Sequence, residues 1–252
     1  MSVSLHELVH YTDNLLQSAR FDDYCPNGLQ IEAATDVHRI VAGVTASQAL
    51  IDAAIKSRAD LLLVHHGYFW KGEGQALTGI KALRIKKLMQ HGISLLAYHL
   101  PLDAHPLLGN NAQLARLLDF NVDGGLDDSE LPVGLVGHLS HPQSLAGLGA
   151  HINQHLQREP LLIGDMNRQI KTLAWCTGAA QSYIGKAVAK GVDCFITGEA
   201  SEPTFHIARE NNICFIAAGH HATERYGVQA LGEHLAAQYD LQYSFVDIAN
   251  PV

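Results

Sequence analysis

Three short segments of this chain place histidines and carboxylates at the ends of apolar runs. LLLVHHG contributes the adjacent pair His65 and His66. AYHLPLDAH contributes His99 and Asp103, four residues apart, and AGHHATE contributes His220 and Glu224 at the same spacing. Imidazole and carboxylate without thiolate suit Zn, Mn, Fe, Co or Ni. Six such donors exceed one tetrahedral site and match two divalent metal ions about 3.5–4 Å apart, bridged by a carboxylate and a water. The chemistry of such a pair is hydrolysis: a bridging hydroxide attacks an electrophilic carbon or phosphorus. The plain alternative is a hydrogen-bonded histidine cluster without metal. Neighbouring side chains in a strand face opposite ways, so His65 and His66 serve one site only where the strand ends; Gly67 permits the turn. If the chain turns helical after a strand, a spacing of four puts both side chains on one face. ATERYGVQALGEHL suits this for His220 and Glu224, whereas Pro101 argues for a turn between His99 and Asp103.

The elements that position these residues read as an alternation. Residues 4 to 19 have helical period, and PNGLQ (26 to 30) is a turn. Strands are expected over 39 to 45, 59 to 65 and 93 to 99, with helices over 49 to 57 and 81 to 90. The order then returns: strands over 172 to 178, 192 to 199 and 213 to 220, with helices over 183 to 191 and 204 to 212. Alternating strands and helices predict an α/β fold of mostly parallel sheets with helices on the faces. Open sheets of this kind gather their sites at the carboxyl ends of the strands, where the histidines fall.

The two halves align. VAGVTASQALIDAAIKSRADLLLVHHG matches LAWCTGAAQSYIGKAVAKGVDCFITGEA with one insertion, pairing Thr45 with Thr177, Asp60 with Asp193 and His66 with Glu199. On the same alignment His99 falls on His220 and Asp103 on Glu224. The expectation is two similar α/β lobes from an internal duplication. The polar stretch NVDGGLDDSELP (121 to 132) suggests a division into 1–126 and 127–252, with the C-terminal segment able to pack back on the first lobe. Glu199 stands at a strand end in ITGEAS. It is a candidate general base, a partner to a ligand histidine, or a helix cap. His105 and His221 flank the clusters. Tyr68, Phe69 and Trp70 follow the histidine pair and suit either a stacked nucleobase or the core.

Composition narrows the function classes. The 252 residues are 47% hydrophobic and 17% charged, as expected of a compact soluble protein. The net charge of −8 and the lack of basic runs argue against direct nucleic-acid binding. No run of about 18 apolar residues marks a membrane span. The first residues lack the basic-then-apolar pattern of a signal peptide. Cys25, Cys176, Cys194 and Cys214 form no C-x-x-C pair and read as reduced thiols, so a cytoplasmic location is expected.

VTAS (44 to 47), LLVHHGYFWKG (62 to 72), YHLPLDAHPLLGNN (98 to 111), ITGEAS (196 to 201) and AGHHATER (218 to 225), with PNGLQIE (26 to 32), resemble the Nif-three-like dinuclear-metal proteins. These are widely described as GTP cyclohydrolase 1 type 2 homologues. The resemblance runs nearly the whole chain and points to the short bacterial type. It implies two α/β lobes with the metal site in the cleft between them, and a ring-shaped homohexamer. It also implies metal ligands at His65, His66, Asp103, His220 and Glu224, with His99 beside them as a further ligand or a substrate contact. The activity it implies is hydrolysis of a nucleotide, either GTP cyclohydrolase-like ring opening or breakdown of modified or damaged nucleotides. A non-catalytic role, in metal storage or delivery or as a scaffold for partners, is the alternative.

Overall fold

The computed structural model describes all residues, Met1–Val252. In chain order its elements are β1 (Val3–Ser4), α1 (Leu5–Leu16), β2 (Gly28–Ile31), β3 (Asp36–Val37), β4 (Arg39–Thr45), α2 (Gln48–Lys56), β5 (Leu61–His66), α3 (Gly79–Gln90), β6 (Ser94–Ala97), α4 (Leu100–Ala104), α5 (Asn110–Leu117), β7 (Phe120–Gly125), β8 (Leu135–Ser144), α6 (Leu145–Leu156), β9 (Leu161–Ile163), β10 (Gln169–Trp175), α7 (Ile184–Lys190), β11 (Cys194–Thr197), α8 (Glu202–Glu210), β12 (Cys214–Ala217), α9 (His220–Thr223), α10 (Arg225–Tyr239) and β13 (Gln242–Phe245). The fold is α/β. The chain forms two units: Met1–Gly109 with Gly227–Ala249, and Asn110–Tyr226 with Asn250–Val252. The polar stretch from 121 begins within β7 of the second unit, and most of α10 and all of β13 belong to the first.

The first unit holds a five-stranded sheet ordered β13-β4-β5-β6-β2. Its first four strands are parallel and β2 closes the edge antiparallel to β6. Both faces are covered, which is why the strands are apolar throughout rather than alternating. Ile40, Ala42, Leu61, Leu63 and Leu96 pack with Leu5 and Leu8 of α1 and Val228, Leu231 and Leu235 of α10. Val41, Leu62, Val64 and Leu95 face the other way, onto Leu50, Ile51 and Ala54 of α2 and Ile85 and Leu88 of α3.

The second unit holds a six-stranded sheet ordered β7-β8-β10-β11-β12-β9. β10, β11 and β12 are parallel; β8 and β9 flank them antiparallel. Leu173, Trp175, Ile196 and Ile216 meet Leu145, Leu148 and Ile152 of α6, while Phe195 and Phe215 meet Ile184 and Ala187 of α7. Asn111 of α5 closes the end of β10: its Oδ1 accepts from Thr177 N at 3.1 Å and its carbonyl accepts from Trp175 Nε1 at 3.0 Å. All four cysteines are buried and none forms a disulfide. No helix is long and apolar enough to cross a membrane.

The aligned aspartates each accept from two consecutive backbone amides. Asp60 Oδ2 accepts from His38 N (2.8 Å) and Arg39 N (2.9 Å) at the start of β4; Asp193 Oδ2 accepts from Lys171 N (3.0 Å) and Thr172 N (2.9 Å) inside β10. The correspondence also reaches segments beyond the aligned stretch. α1 and α6 both begin on a serine cap, Ser4 and Ser144, and both end on a left-handed glutamine, Gln17 at φ 52° and Gln157 at φ 56°.

Asp193 gives a test of this clamp. Burial raises its carboxyl pKa, but hydrogen bonds from Thr172 and Lys171 and the charge of Arg168 outweigh burial and hold it below the ordinary value. Asp193→Ala strands backbone donors and is expected to lower stability by about 1–3 kcal/mol in urea unfolding. A depressed pKa stabilises above the unfolded value of about 3.9 and loses that contribution as pH falls below it. The gap between wild type and variant should therefore hold at neutral pH and narrow below about pH 4. Equal stabilities at neutral pH, or a gap unchanged in acid, would refute this.

Candidate metal centre

The first unit gathers His65, His66, His99 and Asp103. His65 and His66 end β5, and His99 follows β6, the next parallel strand. Adjacent strand ends thus bring three ring nitrogens within 4.8 Å of one another. The ring centroids of His65 lie 4.5 Å from His66 and 5.1 Å from His99. Asp103 Oδ1 stands 3.6 Å from His65 Nε2. The segment after His99 is helical, contrary to the turn that Pro101 suggested. Pro101 lies in the first turn of α4, where its missing N–H removes no helix bond. Gly67 follows the end of β5 and has no room for a side chain. A Cβ there would stand 2.2 Å from Gln30 Oε1, which accepts from Tyr68 N at 2.7 Å.

Each imidazole is held through Nδ1. His65 Nδ1 pairs with the Tyr98 carbonyl at 2.9 Å, and His66 Nδ1 with Thr45 Oγ1 at 3.3 Å. His99 Nδ1 pairs with Asp23 Oδ1 at 2.7 Å. At His65 and His99 the partner is a carbonyl or carboxylate oxygen, which only accepts, so Nδ1 carries the proton and Nε2 is the nitrogen left for a metal or substrate; the Thr45 hydroxyl beside His66 can donate or accept. Asp23 is itself enclosed: it accepts from Tyr24 N (2.6 Å), Asn27 Nδ2 (2.8 Å) and Leu100 N (2.9 Å). Burial pushes its carboxyl up, but the His99 hydrogen bond and charge, with Asn27 and Leu100 N, bring it down to about 2.

The second unit gathers His220, Glu224 and Glu199. His220 opens α9 just past β12, and Glu224 follows that helix. His220 Nε2 lies 3.1 Å from Glu224 Oε2, and His220 Nδ1 lies 2.7 Å from Glu199 Oε1. Glu199, left open among three roles by sequence, is therefore the Nδ1 partner of His220. Burial lowers the His220 pKa, yet the hydrogen bonds and charges of Glu224 and Glu199 carry it up to about 9. Gly178 stands against this group. Its φ is +70°, and a Cβ there would lie 2.0 Å from Glu224 Oε1 and 3.3 Å from His220 Nε2.

The remaining candidates have other partners. His105 Nδ1 accepts from Leu107 N (3.3 Å) and Leu108 N (3.0 Å), and burial together with nearby His234 lowers its pKa. His221 is buried, with its backbone N–H on the Val252 carbonyl. Tyr68 is a core residue whose hydroxyl donates to the Ala46 carbonyl at 2.7 Å. Trp70 packs on His66 and His99. Sequence reading missed Asp23, Gly178 and the polar side chains of PNGLQ. That motif read as a turn, yet Asn27 and Gln30 hold the backbone at His99 and Tyr68. The donor set contains only nitrogen and oxygen, with imidazole Nε2 atoms presented beside carboxylates, and fits a divalent transition metal.

Comparisons with known proteins agree across the whole chain. It is 55% identical over 252 residues to a GTP cyclohydrolase 1 type 2 homolog of Pseudomonas aeruginosa, covering 100% of each chain. It is 53% identical over 249 residues to another of that name in Allochromatium vinosum, covering 98% of this chain and 97% of that one. The solved structure of protein ybgI, described as of unknown function, superposes with a TM-score of 0.95 at 49% identity, covering 99% of this chain and 100% of that one. A structure from Thermus thermophilus superposes with a TM-score of 0.89 at 34% identity, over 99% of this chain and 100% of that one. The family model Duf34/NIF3 (NGG1p interacting factor 3) matches residues 3–251, and the chain accordingly belongs to the Duf34/NIF3 family.

Proposed function

We propose that this protein is a metal-dependent hydrolase acting on a nucleotide. His65, His66, Asp103, His220 and Glu224 are its metal ligands, and two divalent cations are its cofactor. The observation that carries this reading is the common treatment of the histidines: His65, His66, His99 and His220 each have Nδ1 committed to an oxygen. A merely structural cluster has no need to commit Nδ1 of every histidine to an oxygen and leave Nε2 for another partner. Bound there, the cations would act as Lewis acids and lower the pKa of water. Five protein ligands over two cations leave coordination positions open, as catalysis requires and a storage site does not.

The chain's own residues orient and transfer protons. Glu199 and Asp23 fix the rings of His220 and His99. His99 presents Nε2 as a proton donor or acceptor toward the substrate, or as a further ligand. The names of the relatives support GTP or a related nucleotide as substrate. For GTP the reaction is hydrolytic opening of the imidazole ring with release of formate. A ring-shaped homohexamer is the assembly proposed with it. Leu77, Ile80 and Leu83 are exposed at and just before α3, and exposed apolar side chains suit such contacts.

The experiment is a screen of the metal-reconstituted protein against GTP and damaged nucleotides, with formate and phosphate release as readouts. Hydrolysis in wild type that is absent from an Asp103→Ala, Glu224→Ala variant is expected. Metal binding with no turnover of any nucleotide would favour the non-catalytic alternative.

A further inference from the structure

Two loops of the first unit meet beside His99. One carries Tyr24 and the other Trp70. They are joined by Lys71 N donating to the Tyr24 carbonyl (2.6 Å) and by the Lys71–Asp22 ion pair (2.9 Å). Trp70 packs edge-on against His99, with centroids 5.1 Å apart and planes at 82°, and its Nε1 donates to the Gly67 carbonyl at 3.2 Å. Tyr24 meets the same His99 ring at 6.3 Å and 66°. Its neighbour Asp23 is the buried partner of His99, so the backbone that fixes His99 also fixes Tyr24.

Two features set this pair apart from core aromatics. Tyr24 is 59% exposed, although the loop beneath it is tightly hydrogen-bonded. Phe69, just before Trp70, sits at φ +66°, a left-handed conformation that is strained for a bulky side chain. Strain of this kind persists where the surrounding structure demands a particular side-chain direction, and here it accompanies Trp70 lying against His66 and His99.

We propose that Tyr24 and Trp70 form the seat for a planar nitrogen heterocycle, a nucleobase, beside His99. This rests on the nucleotide reading above and adds the part of the chain that holds the base. Aromatic faces stack on any base, so the seat supplies affinity and position rather than base identity. Tyr24 offers the open face, and Trp70 closes the side next to the histidines.

The test uses metal-reconstituted wild type with GTP, guanosine and inorganic triphosphate as probes. The chain has 2 tryptophans, and Trp175 is wholly buried in the second unit's core, so ligand-induced fluorescence change reports Trp70. GTP and guanosine should quench the emission and triphosphate should not. Tyr24→Ala should weaken GTP binding in equilibrium dialysis by roughly 5- to 150-fold, while Tyr24→Phe should restore it. Trp70→Leu should abolish the quench. If GTP binds wild type and Tyr24→Ala equally, the seat is wrong and the nucleotide reading stands. If Tyr24→Ala changes the oligomeric state but not GTP affinity, Tyr24 belongs to a subunit contact and the seat is again overturned. If no nucleoside or nucleotide binds wild type, the nucleotide reading itself fails and takes the seat with it.

Discussion

Gly178→Ala is expected to yield a folded protein with metal affinity reduced at least about 10- to 100-fold, the range seen when the support of a ligand is removed. The added methyl group would lie 2.0 Å from Glu224 Oε1, far inside van der Waals contact. Glu224 is buried and stands at the end of a short helix, so its carboxylate has to rotate off the site. The backbone cannot yield instead. Gly178 N donates to Thr223 Oγ1 (3.1 Å), and its carbonyl accepts from Thr197 Oγ1 (3.0 Å) and Gly198 N (2.8 Å). The positive φ adds roughly 1 kcal/mol of strain for any residue with a Cβ. Competition against a chelator measures the affinity, and thermal unfolding measures the strain. Wild-type affinity in this variant would mean that Glu224 is not a ligand or that the strand end moves freely.

The second large effect is on stability. Asp23→Ala should lower unfolding free energy by about 3 kcal/mol or more, read in urea with metal absent. Four donors converge on this carboxylate: Tyr24 N, Asn27 Nδ2, Leu100 N and His99 Nδ1. Removing it strands two backbone amides and an imidazole in a part-buried setting, where each loss approaches the desolvation penalty of the group. Asp23→Asn, which keeps an oxygen acceptor, should recover part of the loss. A change within about 0.5 kcal/mol for the alanine variant, the range of ordinary surface substitutions, would show that solvent replaces the carboxylate.

The legible parts of this structure are those written in local pattern. The parallel strands β4, β5, β6, β10, β11 and β12 are packed on both faces, so each appears as a largely apolar run. The donors His65, His66, His99 and His220 stood out because a charged or polar residue ending such a run is conspicuous. Asp60 and Asp193 aligned because both clamp a neighbouring strand through two amides. What stayed hidden depends on distance along the chain. Asp23 reaches His99 across 76 positions, and nothing near either residue announces the other. Gly178 is an ordinary glycine after a strand until Glu224 is placed beside it. Asn27 and Gln30 were visible only as turn residues because their side-chain bonds run to segments that follow later strands. The Pro101 expectation failed for a different reason: proline breaks the interior of a helix, not its first turn.

The most direct test of the dinuclear reading is the metal content of the purified, reconstituted protein by elemental mass spectrometry, beside the Asp103→Ala, Glu224→Ala variant. About two transition-metal ions per chain in wild type, lost from a variant that remains folded, is the predicted result. A wild-type protein that holds no metal after reconstitution would contradict it, and would leave the histidines at the ends of β5, β6 and β12 as hydrogen-bonded strand ends.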